Sequence, residues 1–217
     1  ILLIASVIWG STFIPQKMAM DFWSPLQFTA IRFFIGSFIL LFIIPIFGIS
    51  QKLNFKSLFL YGTFLGFFLG FAAFFQQLGL VTTTATNAGF FTSLYVLLVP
   101  IIGLSLGISP HKTIWLAVVL CIFGSILLGI PEGDLSLDKI NIGDIWVIVG
   151  SIFWAVHVQV LSFAVKRDPI MLLAVLQFFF AGLILTIFGI LFSSEDLLSF
   201  PTFSNSYIPL ATLLYCS

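Results

Sequence analysis

The wide spacing of its charges constrains this chain more than any other feature. Nineteen residues separate Lys112 from Glu132, 21 separate Asp144 from Lys166, and 26 separate Asp168 from Glu195, with no charge between. An α-helix crosses the ~30 Å hydrocarbon core of a bilayer in about 20 residues, so each interval suits one crossing. The 54 residues between Lys56 and His111 are too many for one helix and suit two. Their break is expected at Gly79-Leu80-Val81-Thr82-Thr83-Thr84, where apolar residues give way to small and β-branched polar ones. The spacing predicts helices near 1–20, 25–48, 57–79, 84–107, 111–131, 144–165, 169–192 and from 206 onward.

Composition agrees: 60% of the residues are hydrophobic, 7% are charged, and the net charge is zero. A soluble domain is roughly 45–50% apolar and about 25% charged. An ordinary globular enzyme, a nucleic-acid binder and a disordered chain are therefore excluded. Cys121 and Cys216 are the only cysteines, too few for a disulfide framework or a thiolate metal cluster. Barrel strands alternate apolar and polar residues, and Phe33 to Phe47 does not. Residues 1–20 lack the basic n-region of a signal peptide. The absent initiator Met implies that the chain starts a few residues upstream. The fold class is an all-α integral membrane protein, a polytopic helical bundle with a lipid bilayer around it. Its 28 phenylalanines suit a lipid-facing role.

Basic residues set the orientation. Lys52, Lys56, Lys112, Lys166 and Arg167 fall in loops on one side, and only Lys17 and Lys139 on the other. The first side is read as cytoplasmic, which puts the N-terminus there too.

A shift of 145 residues pairs Ser6 with Ser151, Trp9 with Trp154, Phe33-Phe34 with Phe178-Phe179, and Ile39-Leu40 with Ile184-Leu185. The tryptophan pair is the most informative, because the chain has only five Trp. The first unit holds five helices, an odd number, so the second enters the membrane from the opposite side. Inverted repeats of this kind are a transporter architecture, with the site near the midplane between the repeats. Residues 1–135 are read as the first repeat and 140–217 as an incomplete second one, ending inside the eighth helix.

The segment Trp9-Gly10-Ser11-Thr12-Phe13-Ile14-Pro15-Gln16-Lys17, with Ser24-Pro25 and Ala30-Ile31-Arg32-Phe33, resembles the first repeat of EamA-type transporters of the drug/metabolite transporter superfamily. So do Gly79-Leu80, Thr84-Ala85, and Ala88-Gly89-Phe90-Phe91-Thr92-Ser93-Leu94-Tyr95 leading to Pro100. Gly143-Asp144 with Phe153-Trp154-Ala155 is similar to the start of that family's second repeat. The resemblance implies ten helices as five plus five inverted, around a central cavity. It implies transport of small metabolites, amino acids or drugs, mostly in bacterial inner membranes.

Trp9 and Trp154 lie deeper in their spans than Trp23, Trp115 and Trp146, which read as an interfacial belt. They are candidate walls of a substrate site; helix packing or lipid contact is the competing reading. Trp9, Thr12 and Gln16 share one face of the first helix. Such a stripe faces the bundle interior, as cavity lining or as interhelical hydrogen bonds. Thr86, Asn87, Phe90 and Ser93 make a similar stripe, with close packing through Ala85, Ala88 and Gly89 as the alternative. Gln76 and Gln77 read as caps of the threonine turn or as one mouth of the cavity. His157 is a candidate proton or anion binder, or a neutral packing residue. Arg32 is the one charge well inside a span, and a structural role is favoured. Gly62, Gly66 and Gly70 permit close helix approach, more readily within the chain than in a homodimer. Pro15 and Pro100 are expected to kink their helices.

No catalytic residue, metal site or cofactor is expected, and the chain is not read as an enzyme. The leading function is a secondary transporter or facilitator, in the export direction, of a small organic metabolite or amino-acid-like solute across the cytoplasmic membrane. The alternatives are an intramembrane enzyme or a non-transporting membrane subunit. The expected partners are a small-molecule substrate and the bilayer, without nucleic acid.

Overall fold

In hydrocarbon every backbone N–H and C=O must be paired within the protein, and a helix does this inside one segment. The computed structural model describes residues 2–47, 53–129, 141–192 and 207–217, and among them the chain forms ten helices and no strand. These are α1 (Leu2–Ser11), α2 (Phe13–Ala19), α3 (Pro25–Phe47), α4 (Phe55–Leu80) and α5 (Ala85–Ser93). They continue as α6 (Tyr95–Ser105), α7 (Lys112–Gly129), α8 (Ile142–Ala164), α9 (Ile170–Phe192) and α10 (Ile208–Cys216). Among the described residues, five stretches are long and apolar enough to cross a bilayer: Pro25–Ile46, Phe55–Leu80, Ala85–Ser105, Ile142–Ala164 and Ile170–Phe192. The protein is a multi-pass helical membrane protein. The expected junction of the repeats, at 135–140, lies outside the described residues. So do Lys52, Glu132, Asp134, Asp138, Lys139, Glu195 and Asp196.

Local side chains set the helix ends. Asn54 caps α4 by accepting from Ser57 N, and Thr84 caps α5 by accepting from Asn87 N. Asn141 and Asp144 form a reciprocal capping box at the start of α8. Gly107, at φ 76°, ends α6. There Ile108 N donates to Gly103 O at 2.8 Å and Gly107 N to Leu104 O at 3.0 Å. This paired closure needs a left-handed residue, which glycine adopts without strain.

Two expected helices are broken. The first divides at Thr12, three residues before Pro15, whose missing N–H leaves the Ser11 carbonyl unpaired along the helix. Thr12 bridges the break, its N–H and hydroxyl both donating to Trp9 O, at 3.1 and 2.6 Å. The fourth divides at Leu94, whose N–H donates to Phe91 O in a tightened turn. Pro100 stays inside α6. The break therefore falls six residues before that proline, not at the carbonyl its ring displaces.

The centre of the bundle is α4, packed against α8 and α9, with α3 packed chiefly on α9 and also touching α4. Ser37 Oγ donates to Val175 O, and Gly182 lies against Ala30 and Phe34, so α3 and α9 run antiparallel. Gly62 faces Leu176 while Gly66 and Gly70 face Ala181, so α4 and α9 run parallel. Gly62, Gly66 and Gly70 thus serve a contact within the chain. Residues 145 apart meet ring to ring: Trp9 with Trp154 at 5.5 Å, Phe33 with Phe178 at 5.4 Å, and Phe34 with Phe179 at 6.1 Å. Trp23 does not belong to an interfacial belt. It is 4% exposed, and its Nε1 donates to Pro209 O of α10. The indole N–H finds its partner inside the bundle, so it needs no headgroup or water.

Candidate functional site

The break at Thr12 places the polar stripe of the first helix beside α4, and hydrogen bonds lock it there. Gln16, 2% exposed, sits one turn after Thr12 and donates from Nε2 to Thr12 Oγ1 at 2.8 Å. Gln76 Nε2 lies 3.5 Å from Gln16 Oε1. Trp154 Nε1 then donates to Gln76 Oε1 at 3.2 Å. One relay of hydrogen bonds therefore runs from the indole of Trp154 on α8, through α4 and α2, to the carbonyl of Trp9. The two tryptophans that it joins also pack edge to face, with an interplanar angle of 62°. Gln77 Nε2 donates to the Gln16 backbone carbonyl at 3.0 Å and fixes α2 on α4.

The relay forms one wall of a cavity of about 320 Å³. Trp9, Thr12 and Gln16 line it from α1, Thr12 and α2; Leu69 and Gln76 from α4; Trp154 and His157 from α8. Arg32 and Phe33 of α3, Gln177 and Phe178 of α9, and Cys216 and Ser217 complete it. The volume suits a small molecule, and aromatic walls with a few converging polar groups are how such sites are made. His157 Nε2 lies 2.9 Å from Gln177 Oε1, tying α8 to α9. With that oxygen as acceptor, the ring proton sits on Nε2 and Nδ1 is an acceptor; Nδ1 is buried without a partner. The Arg32 guanidinium lies over Phe28 and Phe33, 5.6 and 5.2 Å from their ring centres, and its Nε is likewise buried without a partner. The cavity therefore offers a cation, amide donors and acceptors, and flat apolar surface. Among the described residues no group of three or more His, Cys, Asp or Glu converges as metal ligands would.

Of the residues marked from the sequence, Trp9, Thr12, Gln16, Trp154, His157 and Arg32 all meet in this cavity. Thr86, Asn87, Phe90 and Ser93 do not. Thr86 is exposed. Asn87 turns its amide toward Asp144 Oδ1, 3.5 Å away. Phe90 and Ser93 line a separate hollow of about 60 Å³ against Val118, Cys121 and Ile122 of α7. Packing divides these residues, Asn87 toward α8 and Phe90 and Ser93 toward α7. Gln76 lies in the relay rather than capping the threonine turn. Gln177 and Phe178 line the cavity but are not among the site residues marked from the sequence. A signal existed for Gln177, the only amide side chain in α9 and hence a costly group in hydrocarbon.

A second polar cluster closes one end of the bundle. The Asp144 carboxylate, 1% exposed, accepts from the Thr83 hydroxyl and from Asn141 N at 2.9 Å. Lys17 Nζ donates to the end carbonyls of α4, Leu80 O at 2.6 Å and Val81 O at 3.1 Å. At the other end Ser57 Oγ donates to Asp168 Oδ2 at 2.6 Å, joining the start of α4 to the α8–α9 turn.

Membrane-crossing helices around a cavity of small-molecule size define a polytopic membrane protein with an internal polar site. The model of the EamA-like transporter family matches residues 1–130. An uncharacterized transporter of Archaeoglobus fulgidus is 36% identical over 177 residues, which is 79% of this chain and 51% of that protein. The chain belongs to the EamA-like transporter family, within the drug/metabolite transporter superfamily. It spans about half the length of this curated relative. No solved structure matches it.

Proposed function

We propose that this protein is a secondary transporter that carries a small organic metabolite or amino-acid-like solute across the cytoplasmic membrane by alternating access, in the export direction. The observation that carries this reading is the cavity walled by Trp9 and Trp154 and lined by Thr12, Gln16, Gln76, His157 and Gln177. Rings hold the apolar part of a solute, and the amides and Arg32 hold its polar end. We read 1–135 and 140–217 as two inverted repeats that rock against each other around this site. Support comes from the ring contacts between residues 145 apart, since mates that touch must sit close to the axis relating them. The antiparallel course of α3 and α9, matched by the same shift, points the same way. Lys56, Lys166 and Arg167 share one end of the bundle and Lys17 the other, which favours a cytoplasmic N-terminus.

The test is solute flux in proteoliposomes carrying the full-length protein, after a metabolite-wide screen for a substrate. Trp154→Ala removes a wall and the first donor of the relay, and is expected to cut flux roughly tenfold or more at normal expression. Thr86→Ala, on an exposed site, is expected to leave it unchanged. Wild-type flux from Trp154→Ala and Gln76→Ala alike would place the site elsewhere. Proton coupling through His157 is a further part of the proposal; the other ionisable groups lining the cavity are Arg32 and Cys216. His157→Gln is expected to flatten the pH dependence of flux, and an unchanged pH profile removes His157 from the mechanism.

A further inference from the structure

The end of the bundle that carries Lys56 and Arg167 holds a hollow that the transport cavity does not use. Its volume is about 220 Å³, and Asn54, Lys56, Ser57, Leu60, Tyr61 and Arg167 line it. Two of these side chains are cationic and none is acidic. Arg167 is steadied by the Tyr61 ring, 5.9 Å from guanidinium carbon to centroid. The nearby acid Asp168 is fully buried, does not line the hollow, and takes the Ser57 hydroxyl on Oδ2. An anion entering here meets Lys56, Arg167 and the Asn54 amide.

Leu60 also belongs to a second hollow, a groove of about 350 Å³ along the outer face of α4. Phe59, Phe64, Phe67, Phe68 and Ile184 wall it, and the one hydroxyl there, Thr63 Oγ1, is spent on Phe59 O at 2.9 Å. The groove is thus wholly apolar. From Ser57 to Phe68 is 11 residues, about 16 Å at 1.5 Å per residue. That matches one leaflet, half of a ~30 Å hydrocarbon core. A cationic pocket that shares Leu60 with an apolar groove one leaflet deep is complementary to one kind of molecule.

We propose that these two hollows, adjoining at Leu60, bind a single anionic phospholipid, its phosphate held by Lys56 and Arg167 and one acyl chain laid along the Phe59–Phe68 face of α4. Charge selects the headgroup and the groove selects a lipid over a free anion. The basic side chains would draw on the anionic lipids of the cytoplasmic leaflet.

Native mass spectrometry of the full-length protein in detergent tests this, with phosphatidylglycerol and phosphatidylcholine of identical acyl chains as probes. Phosphatidylglycerol should be retained roughly tenfold more strongly, the order expected from two basic side chains at a membrane surface. The double variant Lys56→Gln/Arg167→Gln should lose the preference. The charge-conserving Lys56→Arg/Arg167→Lys should keep it, as should Lys112→Gln, whose lysine lies outside the hollow. Leu60→Trp, which fills the junction, should weaken both lipids. Equal retention of the two lipids, a preference that survives the double glutamine variant, or displacement by inorganic phosphate alone would each overturn the proposal. So would a stable dimer that covers the groove and excludes lipid.

Discussion

Gly66→Leu is expected to abolish the packing of α4 on α9 and to leave no monodisperse folded protein. A Cβ at position 66 would lie 2.6 Å from Phe180 Cβ and 2.9 Å from both Ala181 N and Gln177 O. Two of these obstacles are backbone atoms, so no change of rotamer relieves the clash and the helices must separate. Overpacking a core costs about 1–3 kcal/mol even where side chains can shift. Here the core of Leu69, Ala73, Ala181 and Leu185 would open as well. Total stabilities are only about 5–15 kcal/mol, so such a loss is decisive. Gly70→Ala should be mild, because its Cβ would meet Ala181 at 3.4 Å. Gly89→Ala meets nothing within 4 Å and should be neutral or slightly stabilising. Size-exclusion profiles and melting curves in detergent measure all three. A wild-type melting temperature for Gly66→Leu would refute the α4–α9 contact described here.

Asp144→Ala is expected to be the most damaging loss of a single polar side chain. Asp144 closes the capping box of α8 and accepts the Thr83 hydroxyl, so it ties the α4–α5 turn to the start of α8. Losing the bond it accepts from Asn141 N, the reciprocal half of the box, costs about 1 kcal/mol. Leaving the 1%-exposed Thr83 hydroxyl without its acceptor adds about 1–3 kcal/mol. The sum, roughly 2–4 kcal/mol, corresponds to a drop of about 5–15 °C in Tm for a chain of this size. Asp144→Asn retains an acceptor oxygen and should lose less than half of that. A variant that melts with the wild type would show that the end of the bundle is held by Lys17 and by apolar packing instead. Asn87→Ala removes a more distant donor to the same carboxylate, so its effect should be on stability rather than on solute contact.

The spacing of charges located the spans closely. The expected 57–79, 144–165 and 169–192 are the helices Phe55–Leu80, Ile142–Ala164 and Ile170–Phe192. Hydropathy and helix capping act within a few residues, so they are written in the local sequence. The break near Pro15 was legible for the same reason, since a missing N–H is a local defect. The break at Leu94 was not, because no residue there forbids a helix. On the first helix, the cost of polar groups in hydrocarbon marked Thr12 and Gln16 as inward-facing. The same rule marked Asn87 and Ser93, but inward for them means α8 and α7 rather than the cavity. Which neighbour a polar face meets depends on the rotation of the helix about its axis, and that is set by contacts far away in the chain.

The sequence by itself determined that this chain lives in a membrane and where its long apolar helices begin and end. Those properties follow from the cost of placing charge and unpaired backbone in hydrocarbon, paid residue by residue. Only the tertiary structure decided that Trp9 meets Trp154, that Gln76 and Gln177 complete the cavity, and that Gly66 rather than Gly70 sets the closest approach of α4 and α9. Those depend on the mutual rotation and depth of packed helices, where a few tenths of an ångström separate contact from clash.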